Sequence, residues 1–195
     1  MPNVAANVVA GTPLATGGVL IGALTATLPT TATAAPTGFT AAGYVGEDGV
    51  TESYDRSTEK VRAWGGDTVK VVQTEFGATY QFTFLETLNA DVLKAVYGDA
   101  NVTTTAATTT ASQLHSVKVT GQTLPHKKFI FELKDGYAKI RIAIPDGQIT
   151  EVGDITYSDA EVIGYQVTVE AYSDSSGVNA YKYLDNGLKS DGTPL

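Results

Sequence analysis

The chain has 195 residues, the size of one ordinary domain, with 43% apolar and 17% charged side chains. This composition excludes wholesale disorder and points to a packed core under a sparsely charged surface. Thirteen bases against 21 acids give a net charge of −8, which excludes a chain-wide basic footprint for nucleic acid. Cysteine is absent, so disulfides, thiolate metal sites and a Cys nucleophile are excluded; His115 and His126 are too few for a His-rich metal centre.

Charge is unevenly spread. Residues 1–46 carry no charged side chain, and residues 47–150 are nearly balanced. The stretch 151–195 holds Glu151, Asp154, Asp159, Glu161, Glu170, Asp174, Asp185 and Asp191 against only Lys182 and Lys189. The uncharged start has no Lys or Arg before Arg56, unlike a secretory signal, and Asn7, Gly11, Thr12, Pro13, Thr16, Gly17 and Gly18 interrupt any spanning run. Thr25–Thr40 mixes Thr and Ala with Pro29 and Pro36, which favours extended backbone over helix. Residues 1–38 are therefore expected to form an extended N-terminal arm that docks on another surface. A β-rich domain is expected over 39–183, and a C-terminal arm over 184–195.

In chain order, Phe39–Val45 and Val50–Tyr54 read as strands flanking the turn Gly46-Glu47-Asp48-Gly49, with Lys60–Trp64 continuing the sheet. Thr68–Glu75 and Ala78–Glu86 are β-branched and aromatic strands separated at Phe76-Gly77. In the second, Tyr80, Phe82 and Phe84 share one face. One helix is expected over about 89–97. Asn89 serves as N-cap, Asp91 suits the positive first turn, Gly98 fits the C-terminal cap, and Val92, Leu93, Val96 and Tyr97 form an apolar stripe. So short a helix must pack on a sheet to persist. Val102–Ser112, rich in Thr and Ala, reads as a surface loop or edge strand.

Asp135-Gly136 is a two-residue hairpin signal inside Lys128–Ile144. Pairing about it places Leu133 opposite Ala138, Phe131 opposite Ile140 and Phe129 opposite Ile142, with Glu132 opposite Lys139 on the other face as a favourable charge pair. Glu161–Tyr172 is a further strand, with Ile163, Tyr165, Val167, Val169 and Ala171 on one face. Asn186-Gly187, Asp191-Gly192 and Pro194 mark turns in the tail.

No catalytic, cofactor or metal site is expected. There is no nucleophile elbow, no phosphate loop ending in Gly-Lys-Ser/Thr and no His-Glu-x-x-His. Glu47 and Asp48 lack the alternating oxygen ligands of a calcium loop and read as a solvated turn. Pro125-His126-Lys127-Lys128 could touch phosphate but reads as solvated residues at a strand entry, and His115 as an ordinary partly exposed histidine. Trp64, the single tryptophan, suits either a sugar-stacking platform or, preferably, a core or interface anchor.

The stretch Gly43–Val102 resembles the major tail (tail tube) proteins of long, non-contractile-tailed, siphovirus-type bacteriophages, especially those of actinobacterial hosts. The resemblance is carried by Gly43-Tyr44-Val45-Gly46, the Trp64-Gly65-Gly66 turn, the hairpin ending in Phe82-Thr83-Phe84-Leu85-Glu86-Thr87, and the helix ending in Val96-Tyr97-Gly98. It implies a mainly β, sandwich-like or barrel-like core with one flanking helix, and a structural rather than enzymatic role. It also implies hexameric rings stacked into a tube around a tape-measure protein. Tail terminator and distal tail proteins would be further partners, and DNA would pass through the lumen without specific binding. The subunit would belong to the virion tail, assembled in the host cytoplasm with no membrane involved. A virion decoration or pilus-like adhesive subunit and a carbohydrate-binding β-sandwich remain the alternatives.

Overall fold

The computed structural model describes residues 8–14, 17–190 and 193. Eleven strands and one helix follow in chain order: β1 (Thr12–Pro13), β2 (Val19–Thr27), β3 (Thr37–Ala41), β4 (Thr51–Arg62), β5 (Thr68–Phe84), α1 (Ala90–Tyr97), β6 (Val102–Thr105), β7 (Leu114–Val117), β8 (Lys127–Asp135), β9 (Ala138–Val152), β10 (Tyr165–Tyr172) and β11 (Tyr181–Asp185). All strand pairs are antiparallel. The main sheet runs β3-β2-β8-β9-β10-β5-β4, with β1 on β8 and β11 on β9, while β6 and β7 form a separate two-stranded sheet. The fold is mainly β and sandwich-like with a single short helix.

β9 makes the sandwich. Its first half lies between β8 and β11, and its second half pairs with β10. The change of partner falls at Pro145-Asp146-Gly147, where the β8–β9 register shifts between Lys127 and Phe129. Proline has no N–H for the ladder, so it belongs at such an irregularity. Gly147 is required by space. A Cβ there would sit 2.8 Å from the Phe129 ring, 3.0 Å from Val169 and 3.2 Å from Ile144. The strand therefore turns from one layer into the other, and β5 folds back over β8. Phe131 on β8 meets Tyr80 at 5.3 Å and Phe82 at 5.4 Å between ring centroids, and Phe82 meets Phe84 edge-on at 4.8 Å. Fully burying each such ring contributes about 1.5–3 kcal/mol.

α1 closes one side of this core. The Asn89 side chain accepts from the Asp91 amide at 3.0 Å, and the Gly98 amide donates to the Lys94 carbonyl. Val92, Leu93, Ala95 and Val96 are buried, and the Tyr97 ring meets Tyr165 edge-on.

The other face of β2, β8 and β9 carries a smaller cluster of Leu20, Ile130 and Ala143, covered by Leu28, Phe39, Tyr181 and Tyr183. Beside it lies a buried ion pair, Arg141 with Glu132. Arg141 Nε donates to Glu132 Oε1 at 2.9 Å, and its Nη1 donates to the Thr31 and Ala34 carbonyls, both at 2.6 Å. Lys128 Nζ donates to the Ala26 carbonyl at 2.7 Å. Lys128 and Arg141, the latter held by Glu132, thus pin residues 26–34 over the sheet.

Several elements differ from the sequence expectation. Of the stretch expected as an N-terminal arm, residues 19–27 form β2 inside the sheet and residues 28–36 fold over its outer face; residues 1–7, 15 and 16 lie outside the described residues. In the expected C-terminal arm, Leu184 and Asp185 still pair in β11, and residues 191, 192, 194 and 195 are outside the described set. The β8–β9 turn is Gly136-Tyr137, flanked by Asp135 opposite Ala138. Only Gly136 has positive φ, 56°, as in a turn of type II′ rather than I′. The register moves by two residues, so every side chain keeps its face but changes partner. Phe131 faces Ile142, Leu133 faces Ile140, and Glu132 faces Arg141 instead of Lys139.

This register generates a stability order. Arg141→Leu leaves Glu132 buried without its partner and strands two loop carbonyls, so a loss of about 3–5 kcal/mol is expected. Gly147→Ala overpacks the corner and should cost about 1–3 kcal/mol. Lys139→Glu trades a like-charge neighbour for an opposite one at Lys134 and the reverse at Asp185, so the changes offset and the variant should stay within about 0.5 kcal/mol of the parent. Urea denaturation of the three variants checks the order; a large loss at Lys139 would restore the other register.

Candidate functional site

Among the described residues no group of three or more His, Asp or Glu side chains is placed to hold a metal ion, and no helix is long and apolar enough to cross a membrane. A groove of about 870 Å3 runs between residues 30–32 and β11. Lys182 and Asp185 are its only charged lining residues. The surface that stands out is a protrusion.

β4 and β5 pair continuously from Thr51–Gln81 to Arg62–Thr68. β10 covers β5 only between Thr79 and Phe84. Beyond that point the two strands run on alone as a ribbon, about 30 Å long at roughly 3.3 Å per residue. At its end the Ala63 amide donates to the Asp67 carbonyl at 2.8 Å, and the Gly66 amide to the Ala63 carbonyl at 3.0 Å. Gly65 and Gly66 take φ of 109° and 96°, which a side chain would strain. Register shifts at Ser57/Thr58 and Val61/Arg62 add local twist.

The ribbon is exposed yet partly apolar. Val69 is 64% exposed, Val71 54% and Val61 47%; Val72 and Phe76 are also open, and Trp64 at the tip is completely so. A two-stranded hairpin in water is marginal by itself, and aliphatic residues at these positions gain nothing from solvent.

The ribbon base is clamped. The Glu52 carboxylate accepts from the Tyr80 hydroxyl at 2.7 Å, from the Tyr54 hydroxyl and from Lys182 Nζ on β11. Lys182 also lies over the Tyr54 ring, 5.4 Å from its centroid. Tyr54 stacks on Phe76, and the Arg56 guanidinium covers the Phe76 ring at 4.6 Å. Burial alone would raise the Glu52 carboxyl, but hydrogen bonds from Lys182, Tyr54 and Tyr80 and the Lys182 charge hold it below its ordinary value of 4.5. Burial alone would lower Lys182, yet the hydrogen bond and charge of Glu52, with Tyr54, hold it above 10.5. Burial first, then the hydrogen bond and charge of Glu52, push the Tyr80 hydroxyl far up.

The other residues singled out in the sequence are engaged locally. His126 Nδ1 lies 2.7 Å from Asp146 Oδ1, Lys127 pairs with Asp99 at 2.8 Å, and Lys128 holds Ala26, so the 125–128 cluster is spent within the chain. His115, on β7, lies 3.0 Å from Thr104 Oγ1 on β6. Glu47 and Asp48 sit in the turn closed by the Gly49 amide on the Gly46 carbonyl, at 2.9 Å. Thr103–Thr105 pair with β7, and residues 106–113 are an exposed loop. Trp64 is no core anchor, and it contacts no other aromatic ring among the described residues. The sequence divides 51–62 and 68–84 into two strands each, whereas the structure joins each into one strand of a single ribbon. The β-branched run Thr68–Thr74 after Trp64-Gly65-Gly66-Asp67 carries a strand signal, while the polar, charged stretch 51–62 before the turn carries little.

Residues 2–193 match the sequence model of a family described as phage tail tube protein. No curated protein matches the chain.

The clamp sets a pH dependence. Glu52 has a lowered pKa, so its contribution is present above the ordinary carboxylate value and is lost as pH falls through the lower folded value. Lys182 has a raised one, so its contribution is present below the ordinary lysine value and is lost as pH rises through the higher folded value. Glu52→Gln should therefore lower the melting temperature at neutral pH and narrow its gap to the parent protein below pH 4.5. Parallel melting curves with a constant gap across that range would remove the clamp's electrostatic role.

Proposed function

Since the chain belongs to the phage tail tube protein family, we propose that it polymerises through the β4–β5 ribbon into stacked hexameric rings that form the conduit for genome ejection. The carrying observation is the ribbon: about 30 Å of two-stranded sheet with open valines, Phe76 and Trp64, and, among the described residues, no third strand or helix covering it. Family membership makes self-assembly into a tube the expected fate of such a surface, and a second copy of the chain its cover. A tape-measure protein would fill the tube before ejection, terminator and distal tail proteins would close its ends, and assembly would take place in the host cytoplasm.

A net charge of −8 supports the conduit role, because fixed bases facing a passing polyanion would bind phosphate and act as a brake. Lys127, Arg141 and Lys182 are already paired to carboxylates within the subunit.

Two measurements test this reading. Joining Asp55 to Gly77 through an Asn-Gly turn removes the ribbon while leaving the core strands paired. The shortened protein should melt near the parent temperature and remain monomeric under conditions where the parent forms tubes in negative-stain images. Tube formation without the ribbon would refute its role. Assembled parent tubes should show no salt-sensitive affinity for short duplex DNA; tight, salt-dependent binding would overturn the non-adhesive conduit while leaving polymerisation intact.

A further inference from the structure

The ribbon and the most acidic exposed loop lie at opposite ends of one strand. β5 begins at Thr68 in the ribbon and finishes at Phe84, beside Tyr165 of β10. The connection from Val152 to Tyr165 therefore sits at the far end from the ribbon. The Gly153 amide donates to the Gln166 carbonyl at 2.8 Å, holding its start there. Residues 153–164 carry Asp154, Asp159 and Glu161, and Tyr157 and Val162 are 73% and 78% exposed. The turn with Glu47 and Asp48 lies at the same end, since the Gly46 amide donates to the Thr83 carbonyl at 2.8 Å and Val45 bridges to Phe84. No Lys or Arg occurs between residues 142 and 181, or before Arg56.

The outer ribbon has the opposite character. Between residues 60 and 70 it carries Lys60, Arg62 and Lys70 against Asp67 alone. None of these three bases forms an ion pair among the described residues, and neither do Asp154, Asp159 and Glu161. Both surfaces pair unneutralised charge with open apolar groups: Trp64 and the valines on one, Tyr157 and Val162 on the other. Their separation along β5 keeps the ribbon tip of a subunit from reaching its own acidic loop. Two complementary patches at opposite ends make a heterologous contact, which repeats from copy to copy until it closes a ring or extends a filament.

We propose that the outer ribbon of one subunit docks on the 153–164 loop of a second copy, with Lys60, Arg62 and Lys70 meeting Asp154, Asp159 and Glu161, and Trp64 packing against Tyr157 and Val162. The proposal rests on the tube reading and supplies its receptor. The charges steer and orient the encounter, while the apolar contacts hold it.

A charge exchange tests it. The ribbon variant carries Lys60→Glu, Arg62→Glu and Lys70→Glu; the loop variant carries Asp154→Lys, Asp159→Lys and Glu161→Lys. All six positions are exposed, so both variants should melt close to the parent; Arg62→Glu and Asp159→Lys alone serve as milder substitutes should either triple variant fail to fold. Each variant by itself should need at least about tenfold more protein to form tubes, because like charges face each other across the contact. An equimolar mixture should polymerise again, since each ribbon then finds an oppositely charged loop. Parent-like polymerisation of either variant alone, or no polymerisation of the mixture, would overturn the docking assignment. With parent tubes present, those results leave the tube reading standing. If the parent chain forms no tubes at all, both fall together.

Discussion

One strand belongs to two layers, and the rest of the molecule follows from how β9 manages it. A flat antiparallel sheet of this width would leave a broad apolar face in water. β9 avoids that by changing partners at Pro145-Asp146-Gly147, giving its first half to β8 and β11 and its second to β10. The missing proline N–H loosens the ladder there, and the missing glycine Cβ lets Phe129, Val169 and Ile144 close over the bend. Once the sheet folds at this point, Phe131 meets Tyr80 and Phe82, and α1 buries Val92, Leu93, Ala95 and Val96 against the same core. The direction of β5 is set by the same fold. It enters the core at Ala78 and leaves everything before it outside.

On the proposed reading, folding and assembly use different parts of one strand. From Ala78 to Phe84 the alternation of β5 buries Ala78, Tyr80, Phe82 and Phe84. From Thr68 to Phe76 the same strand keeps a β-branched composition with no core to receive it. Ordering each backbone residue costs about 1–2 kcal/mol, which a two-stranded ribbon in water barely recovers. The clamp of Glu52, Tyr54, Tyr80 and Lys182, with Arg56 over Phe76, fixes the ribbon where it leaves the core, so that less of this cost falls on assembly. Charged residues interleaved with the valines oppose indiscriminate edge-to-edge pairing of a long free strand.

The sequence was readable wherever local chemistry and burial agree. The α1 boundaries follow from Asn89, Asp91 and Gly98, and the inward faces of β5, β8 and β10 follow from strict alternation. Alternation does not resolve a register shift of two, because every side chain keeps its face. For that reason alternation alone pairs Glu132 with Lys139, whereas the structure pairs it with Arg141 in the interior. The distinguishing fact was tertiary: Thr31 and Ala34 offer carbonyls to Arg141, and nothing near those residues in sequence announces it. The same holds for β2. Val19–Gly22 is a short apolar run in an uncharged, glycine-containing context, and only its pairing with β8 makes it core. The ribbon was obscured by Gly77, which reads as a break yet sits opposite Asp55 in an unbroken ladder.

Electrostatics would link the proposed interface to the proposed conduit. The chain has 13 bases. Arg141 is buried on Glu132, and Lys182 and Lys127 are paired to Glu52 and Asp99. Lys60, Arg62 and Lys70 stand free on the outer ribbon, the part of the subunit that would be covered on docking. Seating them against Asp154, Asp159 and Glu161 removes equal numbers of each sign from the surface. The net charge of the assembly is unchanged by this, but three of its unpaired cations per subunit become inaccessible. Lys118, Lys134 and Lys189, exposed and in no ion pair among the described residues, are not covered by this docking, and the conduit reading requires them to face away from the lumen. A single free Lys repeated around a ring would act as a phosphate track; bases that are consumed in holding the subunits together do not. Polymerisation itself would then turn a subunit with a basic tip into a wall with little to hold a passing polyanion.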